Sequence, residues 1–151
     1  MITNVIYKTE KLKTSQHWIQ KTVRELIKLL EKSNIRNKSW LKKKEIVIAF
    51  LDRKEMKKIN SQFRSKKKAT DVLSFYSDDP DSIGELMICP EVISKQALDE
   101  NISFQQELSL MILHGILHLL KYDHEVSLRE EIIMFKIQNR IHSQLKAVGV
   151  Y

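Results

Sequence analysis

The chain is predicted to be an α+β protein, with a small mixed β-sheet of about four strands, about five helices, and a core helix that carries a metal site. Strand-like and helix-like segments follow one another irregularly, unlike the strict strand–helix succession of a parallel α/β fold. The segment Leu108–Leu120 has no formal charge and predicts a helix that runs through the core. It is too short to span a bilayer. A length of 151 residues predicts a single domain, residues 1–151.

The N-terminal half has the pattern of strand, helix, strand and helix, in the segments Ile2–Lys8, Thr14–Lys32, Glu45–Leu51 and Arg53–Phe63. Thr14 or Ser15 can cap the first helix by accepting from a free backbone N–H. Asp52 can cap the second helix in the same way. That helix brings Arg64 to its C-terminal end.

The C-terminal half predicts two strands and three helices, in the segments Val72–Tyr76, Glu85–Ile88, a short helix opened by Pro90, Phe104–Leu120 and Leu128–Val148. A polar loop over residues 77–82 separates the two strands. Pro90 suits the first position of a helix, where no backbone N–H is needed.

Three of the five histidines fall within eleven residues, at positions 114, 118 and 124. A helix puts His114 and His118 on one face, with Cβ atoms about 5–6 Å apart. His124 can join them only if the helix ends and the chain turns back. Three neutral nitrogen ligands that leave a fourth position for water are typical of a catalytic zinc site, so we expect one zinc ion per chain. The alternative is that core or surface histidines cluster by chance.

The surroundings of the histidines favour the metal. Burying an imidazole without a partner costs roughly 1–3 kcal/mol, and ligation to a metal offsets that cost. Gly115 indicates that something approaches the helix closely, since glycine lowers helix propensity by about 1 kcal/mol. A metal, a substrate or a packed strand would each explain it.

Three blocks of sequence occur in order between residues 60 and 124. The first reads Asn-Ser-Gln-Phe-Arg from Asn60 and continues as Thr-Asp-Val-Leu-Ser-Phe from Thr70. The second is Ile-Gly-Glu-Leu-Met-Ile from Ile83, and the third is His-Gly-Ile-Leu-His-Leu-Leu-Lys-Tyr-Asp-His from His114. These blocks resemble the YbeY family, bacterial metal-dependent endoribonucleases of ribosomal RNA maturation.

The resemblance implies a zinc-dependent, single-strand-specific endoribonuclease that matures the 3′ end of small-subunit (16S) ribosomal RNA and serves ribosome quality control. The implied partners are single-stranded ribosomal RNA, the small ribosomal subunit and its assembly factors. Arg64 and His114 are the residues expected in catalysis, because a planar guanidinium suits the charge of an attacked phosphodiester. The alternative for Arg64 is a solvated residue at a helix end.

Other residues have a functional and a structural interpretation. Lys66, Lys67 and Lys68 are expected to bind RNA, although a solvated turn would have the same composition. Asp71 and Asp123 can orient a ligand histidine through its other ring nitrogen. An aspartate that merely begins a strand or a turn is the alternative for both.

Lys121 departs from the family pattern, which usually has glycine before Tyr-Asp-His. If the helix ends there in a left-handed residue, lysine costs roughly 1 kcal/mol that glycine would not. The turn can instead keep ordinary helical angles for one more residue.

Charge is distributed unevenly along the chain. Residues 1–70 hold 20 Lys and Arg against 6 Asp and Glu, whereas residues 71–151 hold 6 against 13. Such asymmetry favours a basic surface that meets a polyanion. An ordinary solvated lysine-rich face is the alternative.

The remaining composition predicts a cytoplasmic protein without a membrane partner. Cys89 is the only cysteine, so no disulfide can form within one chain. The first residues have neither the apolar core of an export signal nor the arginine-rich pattern of a transit peptide.

Two other functions stay open from the sequence. His-x-x-x-His resembles the centre of the zinc-peptidase motif, but the place of its general-base glutamate is taken by Gly115. A non-catalytic ribosome-assembly factor with a structural metal is the second alternative, since no obvious general base stands beside the histidines. Cleavage assisted by a 2′-hydroxyl of the RNA itself would need no general base from the protein.

Overall fold

One mixed sheet organises the computed structural model, which describes residues 1–12, 14–64 and 70–151 without the side chain of Arg64. Its strands are β1 Ile2–Lys8, β2 Glu45–Leu51, β3 Val72–Phe75 and β4 Ser82–Ile88. They lie in the order β1–β2–β4–β3. β1, β2 and β4 are parallel, whereas β3 pairs antiparallel with β4. β3 is therefore an edge strand, and the predicted mixed sheet of four strands is confirmed.

The described residues form five α-helices, at α1 Gln16–Glu31, α2 Arg53–Arg64, α3 Pro90–Asp99, α4 Phe104–Leu119 and α5 Leu128–Ala147. A short 3-10 helix, Lys38–Lys42, precedes β2. Ser15 caps α1 by accepting from the N–H of Trp18 at 3.2 Å. Asp52 accepts from the N–H of Glu55 at 2.9 Å and so caps α2. The predicted α+β class is confirmed, and none of the described helices is long and apolar enough to cross a membrane.

Helices pack on both faces of the sheet. The alternation of β2 sends Ile46, Ile48 and Phe50 into the large core that α1, α4 and α5 share. On the opposite face, Met56 of α2 packs with Leu51 and other buried residues in a smaller cluster. α4 lies in the middle of the large core, because its apolar residues are buried on nearly every side.

β4 begins earlier than its sequence predicts, at Ser82 rather than Glu85. A serine and a glycine at its start have the composition of a turn, but Gly84 lies inside the strand with φ +139°. A Cβ there would stand 2.4 Å from the carbonyl oxygen of Phe75, so the position has room only for glycine. The pairing with β2 shifts register between Glu45 and Val47, which accommodates this irregularity.

The approach to Gly115 is made by a strand. A Cβ at this position would lie 2.7 Å from Cδ2 of Leu86, a fully buried residue of β4. Of the three explanations that the sequence left open, the structure shows close packing of α4 against β4. This contact sets the height of the histidine-bearing helix above the sheet.

Candidate metal centre

The three histidines of the C-terminal half converge in one cluster. One ligand atom from each of His114, His118 and His124 lies within 4.8 Å of the other two. The Nε2 atoms of His114 and His118 are 3.1 Å apart. Within the described ranges this is the only group of three or more metal-ligating side chains. The chain therefore has a group that can hold a metal ion.

The turn that returns His124 to the helix begins with a left-handed lysine. Lys121 has φ +71°, the costlier of the two conformations considered for this position. Its N–H donates to the carbonyl of His118 at 2.9 Å, and the N–H of Tyr122 donates to that of Leu117 at 3.0 Å. This pair of backbone hydrogen bonds ends the helix and reverses the direction of the chain. The N–H of Glu125 then donates to Oδ1 of Asp123 at 2.9 Å, which brackets His124 in a second tight turn.

Residues after α1 hold this turn from the far side. The backbone N–H of Arg36 donates to the hydroxyl of the buried Tyr122 at 2.9 Å, and Asn37 donates from Nδ2 to the carbonyl of Leu120 at 3.0 Å. The Arg36 guanidinium also makes two hydrogen bonds, of 2.6 and 2.8 Å, with the carboxylate of Glu130. These hydrogen bonds hold the turn that carries His124 in place without a contribution from a metal ion.

The edge strand β3 and the residue after it fix α4 from another direction. Ser74 donates from its hydroxyl to the carbonyl of Gly115 at 3.2 Å, and Tyr76 donates to the carbonyl of His118 at 3.1 Å. Side chains two residues apart on extended chain point the same way, so both reach the same helix. They tie the backbone beside two of the three histidines to the sheet.

Gln138 of α5 orients His114. Its Oε1 lies 2.8 Å from Nδ1 of His114, and the glutamine is 5% exposed. Because a carbonyl oxygen only accepts, Nδ1 carries the proton and the lone pair of Nε2 faces the cluster. Sequence reasoning missed Gln138, although a signal was present. α5 buries Met134, Gln138, Ile141 and Leu145 on one face, and the glutamine is the polar member of that apolar stripe.

Burial keeps the imidazoles of His114 and His118 neutral. Burial, together with repulsion from the neighbouring His114 and His124, lowers the pKa of His118 to about 4. Burial also lowers the pKa of His114, against which the hydrogen bond to Gln138 acts. At neutral pH both rings therefore keep the lone pairs that a metal requires.

The donor set fits a metal ion of the zinc type. The Nδ1 atom of His124 is buried and has no hydrogen-bond partner, an arrangement that costs free energy unless something ligates the ring. Imidazole nitrogens favour zinc, nickel or copper over magnesium. With three protein ligands, a tetrahedral ion keeps one position for substrate or water.

The cluster lines an open cleft of about 580 Å³ between the edge of the sheet, α4 and α5. Asp123 and Asp71 also line it. The carboxylate of Asp71 accepts from the N–H of Val72 at 2.7 Å and from Nε2 of Gln96 at 3.2 Å. The acceptor beside Nδ1 of His114 is Gln138. The histidine-orienting role expected of Asp71 stays a prediction.

The residues predicted to bind RNA follow directly in the sequence after a residue that lines the cleft. Arg64 ends α2, and the preceding residue, Phe63, lines the cleft. Lys66, Lys67 and Lys68 fall outside the described residues.

Comparison with known proteins identifies relatives across most of the chain. Residues 4–146 match the family described as endoribonuclease YbeY. The endoribonuclease YbeY of Bdellovibrio bacteriovorus is 48% identical over 126 residues, which cover 82% of this chain and 79% of the relative. That of Thermodesulfovibrio yellowstonii is 41% identical over 124 residues, or 79% and 76% of the two chains.

A solved structure shows the same fold. A Thermotoga maritima protein determined in solution superposes with a TM-score of 0.63, over 99% of this chain and 95% of that one, at 23% identity. The family match over residues 4–146 and the identities to two bacterial relatives show that the chain belongs to the endoribonuclease YbeY family.

Proposed function

We propose that the protein is a zinc-dependent endoribonuclease that cuts single-stranded ribosomal RNA. The observation that carries the proposal is the cluster of three histidines in the wall of an open cleft, in a chain that belongs to an endoribonuclease family. The family resemblance points to the 3′ end of small-subunit RNA as the substrate and to ribosome quality control as the setting. The small ribosomal subunit and its assembly factors would then be the partners, in the cytoplasm.

Each part of the site has a role in this proposal. His114, His118 and His124 would hold the ion, and Gln138 would keep the proton of His114 on Nδ1. When bound, zinc supplies Lewis-acid stabilisation for the negative charge that develops on an attacked phosphodiester. Arg64, at the end of α2, would add a guanidinium to the same charge.

Peptidase chemistry is disfavoured by the packing of α4. The zinc-peptidase motif needs a glutamate directly after the first histidine as general base. That position is Gly115, where even a Cβ would stand 2.7 Å from Leu86. A glutamate side chain has no room there. RNA can instead bring its own 2′-hydroxyl as nucleophile.

Metal analysis combined with an RNA cleavage assay tests the proposal. We expect the native protein to bind about one zinc ion and to cut a single-stranded RNA, while the same RNA annealed to its complement stays intact. His118→Ala should lose both metal and cleavage. Arg64→Ala should keep the metal and lose about 100- to 1,000-fold in rate, as when one group that stabilises transition-state charge is removed.

Lys146→Ala, an exposed change on the far turn of α5, serves as the control and should cut normally. Unchanged metal content in His118→Ala would remove the three-histidine site. A protein that binds zinc in this site but cuts no RNA would instead be the non-catalytic assembly factor.

A further inference from the structure

Phe63 is the only exposed phenylalanine among the five of this chain, all of which lie in described residues. Its side chain is 67% exposed, whereas Phe50 is fully buried and the other three are partly buried. An apolar ring left in water forgoes the stabilisation of about 25 cal/mol per Å² that burial would give. A ring in this position has a large free surface on which another planar group can pack.

The ring is held in a defined orientation. Phe63 contacts Phe75 edge-on, with ring centroids 5.4 Å apart and planes at 74°. Phe75 belongs to β3 and packs against the smaller core cluster of Leu51, Met56 and Leu73. Because the ring already contacts the sheet on one side, part of the ordering cost has been met before a ligand packs on the exposed side.

The ring also lies where RNA would have to pass. Phe63, Phe75 and Tyr76 line the same cleft as His114 and His118. The helix that carries Phe63 is rich in cations that would attract a phosphate backbone, with one acidic residue against five basic ones: Arg53, Lys54, Lys57, Lys58 and Arg64. An aromatic ring beside a basic stretch is the combination that single-stranded nucleic-acid sites use.

We propose that Phe63 stacks on a nucleobase of single-stranded RNA in the cleft and so positions a neighbouring phosphodiester at the histidine cluster. The inference rests on the proposed function, since it assigns a contact to the same substrate. It also supplies a physical cause for single-strand preference. A base inside a duplex already stacks on its neighbours and is not free to pack on the protein, whereas every unpaired base presents a face.

Binding measured on the whole 151-residue chain without metal tests the stacking without interference from cleavage. A fluorescently labelled single-stranded oligoribonucleotide is titrated with the native protein and with Phe63→Ala, Phe63→Leu and Phe63→Trp. We expect the alanine and leucine variants to bind about 5- to 150-fold more weakly, the range for loss of one stacked base, and the tryptophan variant to bind at least as tightly. Leu98→Ala, at an 81% exposed position of α3, is the matched control and should not change affinity.

Removing bases from the RNA identifies the partner of the ring. Each oligoribonucleotide in a set lacks the base at one position. Loss of the base at one of these positions should weaken binding to the native protein as much as Phe63→Ala does. The same abasic RNA should bind the native and Phe63→Ala proteins equally, because each change removes the same contact.

The outcomes separate this inference from the proposed function. If Phe63→Leu or Phe63→Ala binds RNA as tightly as the native protein while the metal-loaded enzyme cuts RNA, stacking is wrong and the nuclease function stands. Normal RNA binding by these variants would favour a protein partner, and not a nucleobase, as the group that packs on the exposed Phe63 ring. If the native protein neither binds nor cuts single-stranded RNA, both ideas fail.

Discussion

At the scale of single residues, the histidine cluster depends on a glutamine from another helix. Gln138 accepts from Nδ1 of His114 at 2.8 Å and is almost fully buried. Without it, the His114 ring could turn over or move its proton to the nitrogen that should bind the metal. The hydrogen bond thus prepares the ligand before any ion arrives.

Replacing Gln138 tests this preparation. We expect Gln138→Leu to lower zinc affinity about 10- to 100-fold, because the ligand loses its orienting acceptor. Gln138→Glu keeps an acceptor and should retain most of the affinity. Competition with a zinc chelator measures both, and Gln144→Leu, an exposed change on the same helix, is the control. Equal affinities for Gln138→Leu and the control would show that the hydrogen bond does not prepare the site.

Lys121 shows what the sequence could and could not predict at this scale. The need for a reversal between His118 and His124 followed from histidine spacing alone. The sequence could not show that the Nζ atom of this left-handed lysine lies 3.4 Å from the ring centroid of Tyr76. A cation–π contact of about 0.5–1 kcal/mol at an exposed site is comparable to the roughly 1–2 kcal/mol that the conformation costs. Lys121 and Tyr76 are distant in sequence, so the sequence alone could not predict the contact that offsets the cost of the left-handed conformation.

At the scale of elements, the packing of α4 on β4 decides where two of the ligands stand. Most elements could be predicted because their apolar residues repeat with the period of a helix or a strand. The sheet order could not be, since the pairing of β4 with β2 depends on contacts between distant segments. The same limit applies to Asp71, whose partner Gln96 lies in the later helix α3.

Gly115→Ala tests the contact between these two elements. Overpacking against Leu86 should cost about 1–3 kcal/mol, and the better helix propensity of alanine returns about 1 kcal/mol. We therefore expect net destabilisation of up to about 2 kcal/mol in chemical denaturation.

A double-mutant cycle isolates the cause. In a Leu86→Ala background the three nearest atoms to the added methyl, which all belong to the Leu86 side chain, are gone, so the cost of Gly115→Ala should vanish or become a small gain. Equal costs in both backgrounds would assign the effect to something other than this contact.

At the scale of the whole molecule, positive charge is concentrated before residue 70, whereas the histidines lie in the acidic remainder. Under the proposed function, the first half would attract a polyanion and the second half would hold the metal. The helix that follows β2 connects these functions, because it is basic along its length and its end reaches the cleft.

Salt dependence tests this division. Each phosphate contact on a single strand adds about −0.7 to the slope of log affinity against log salt concentration. Changing Lys66, Lys67 and Lys68 together to glutamine should flatten the slope by up to about two units and leave zinc content unchanged. Changing Lys95, Lys136 and Lys146 to glutamine removes the same charge from the acidic half and is the control. A similar slope change in both triple variants would mean that net charge, and not a basic surface, attracts the RNA.

The order of the strands has a consequence for when the chain can become active during its own synthesis. β1 is made first, but its partner β2 begins only at Glu45, and the strand on the other side of β2 begins at Ser82. Pairings between such distant segments form slowly. The three histidines are translated later still, and the glutamine that orients His114 belongs to the last helix. A nascent chain therefore has no complete histidine centre until α5 has been translated and can fold. This order of synthesis would separate the translation of the chain from the RNA cleavage proposed for it.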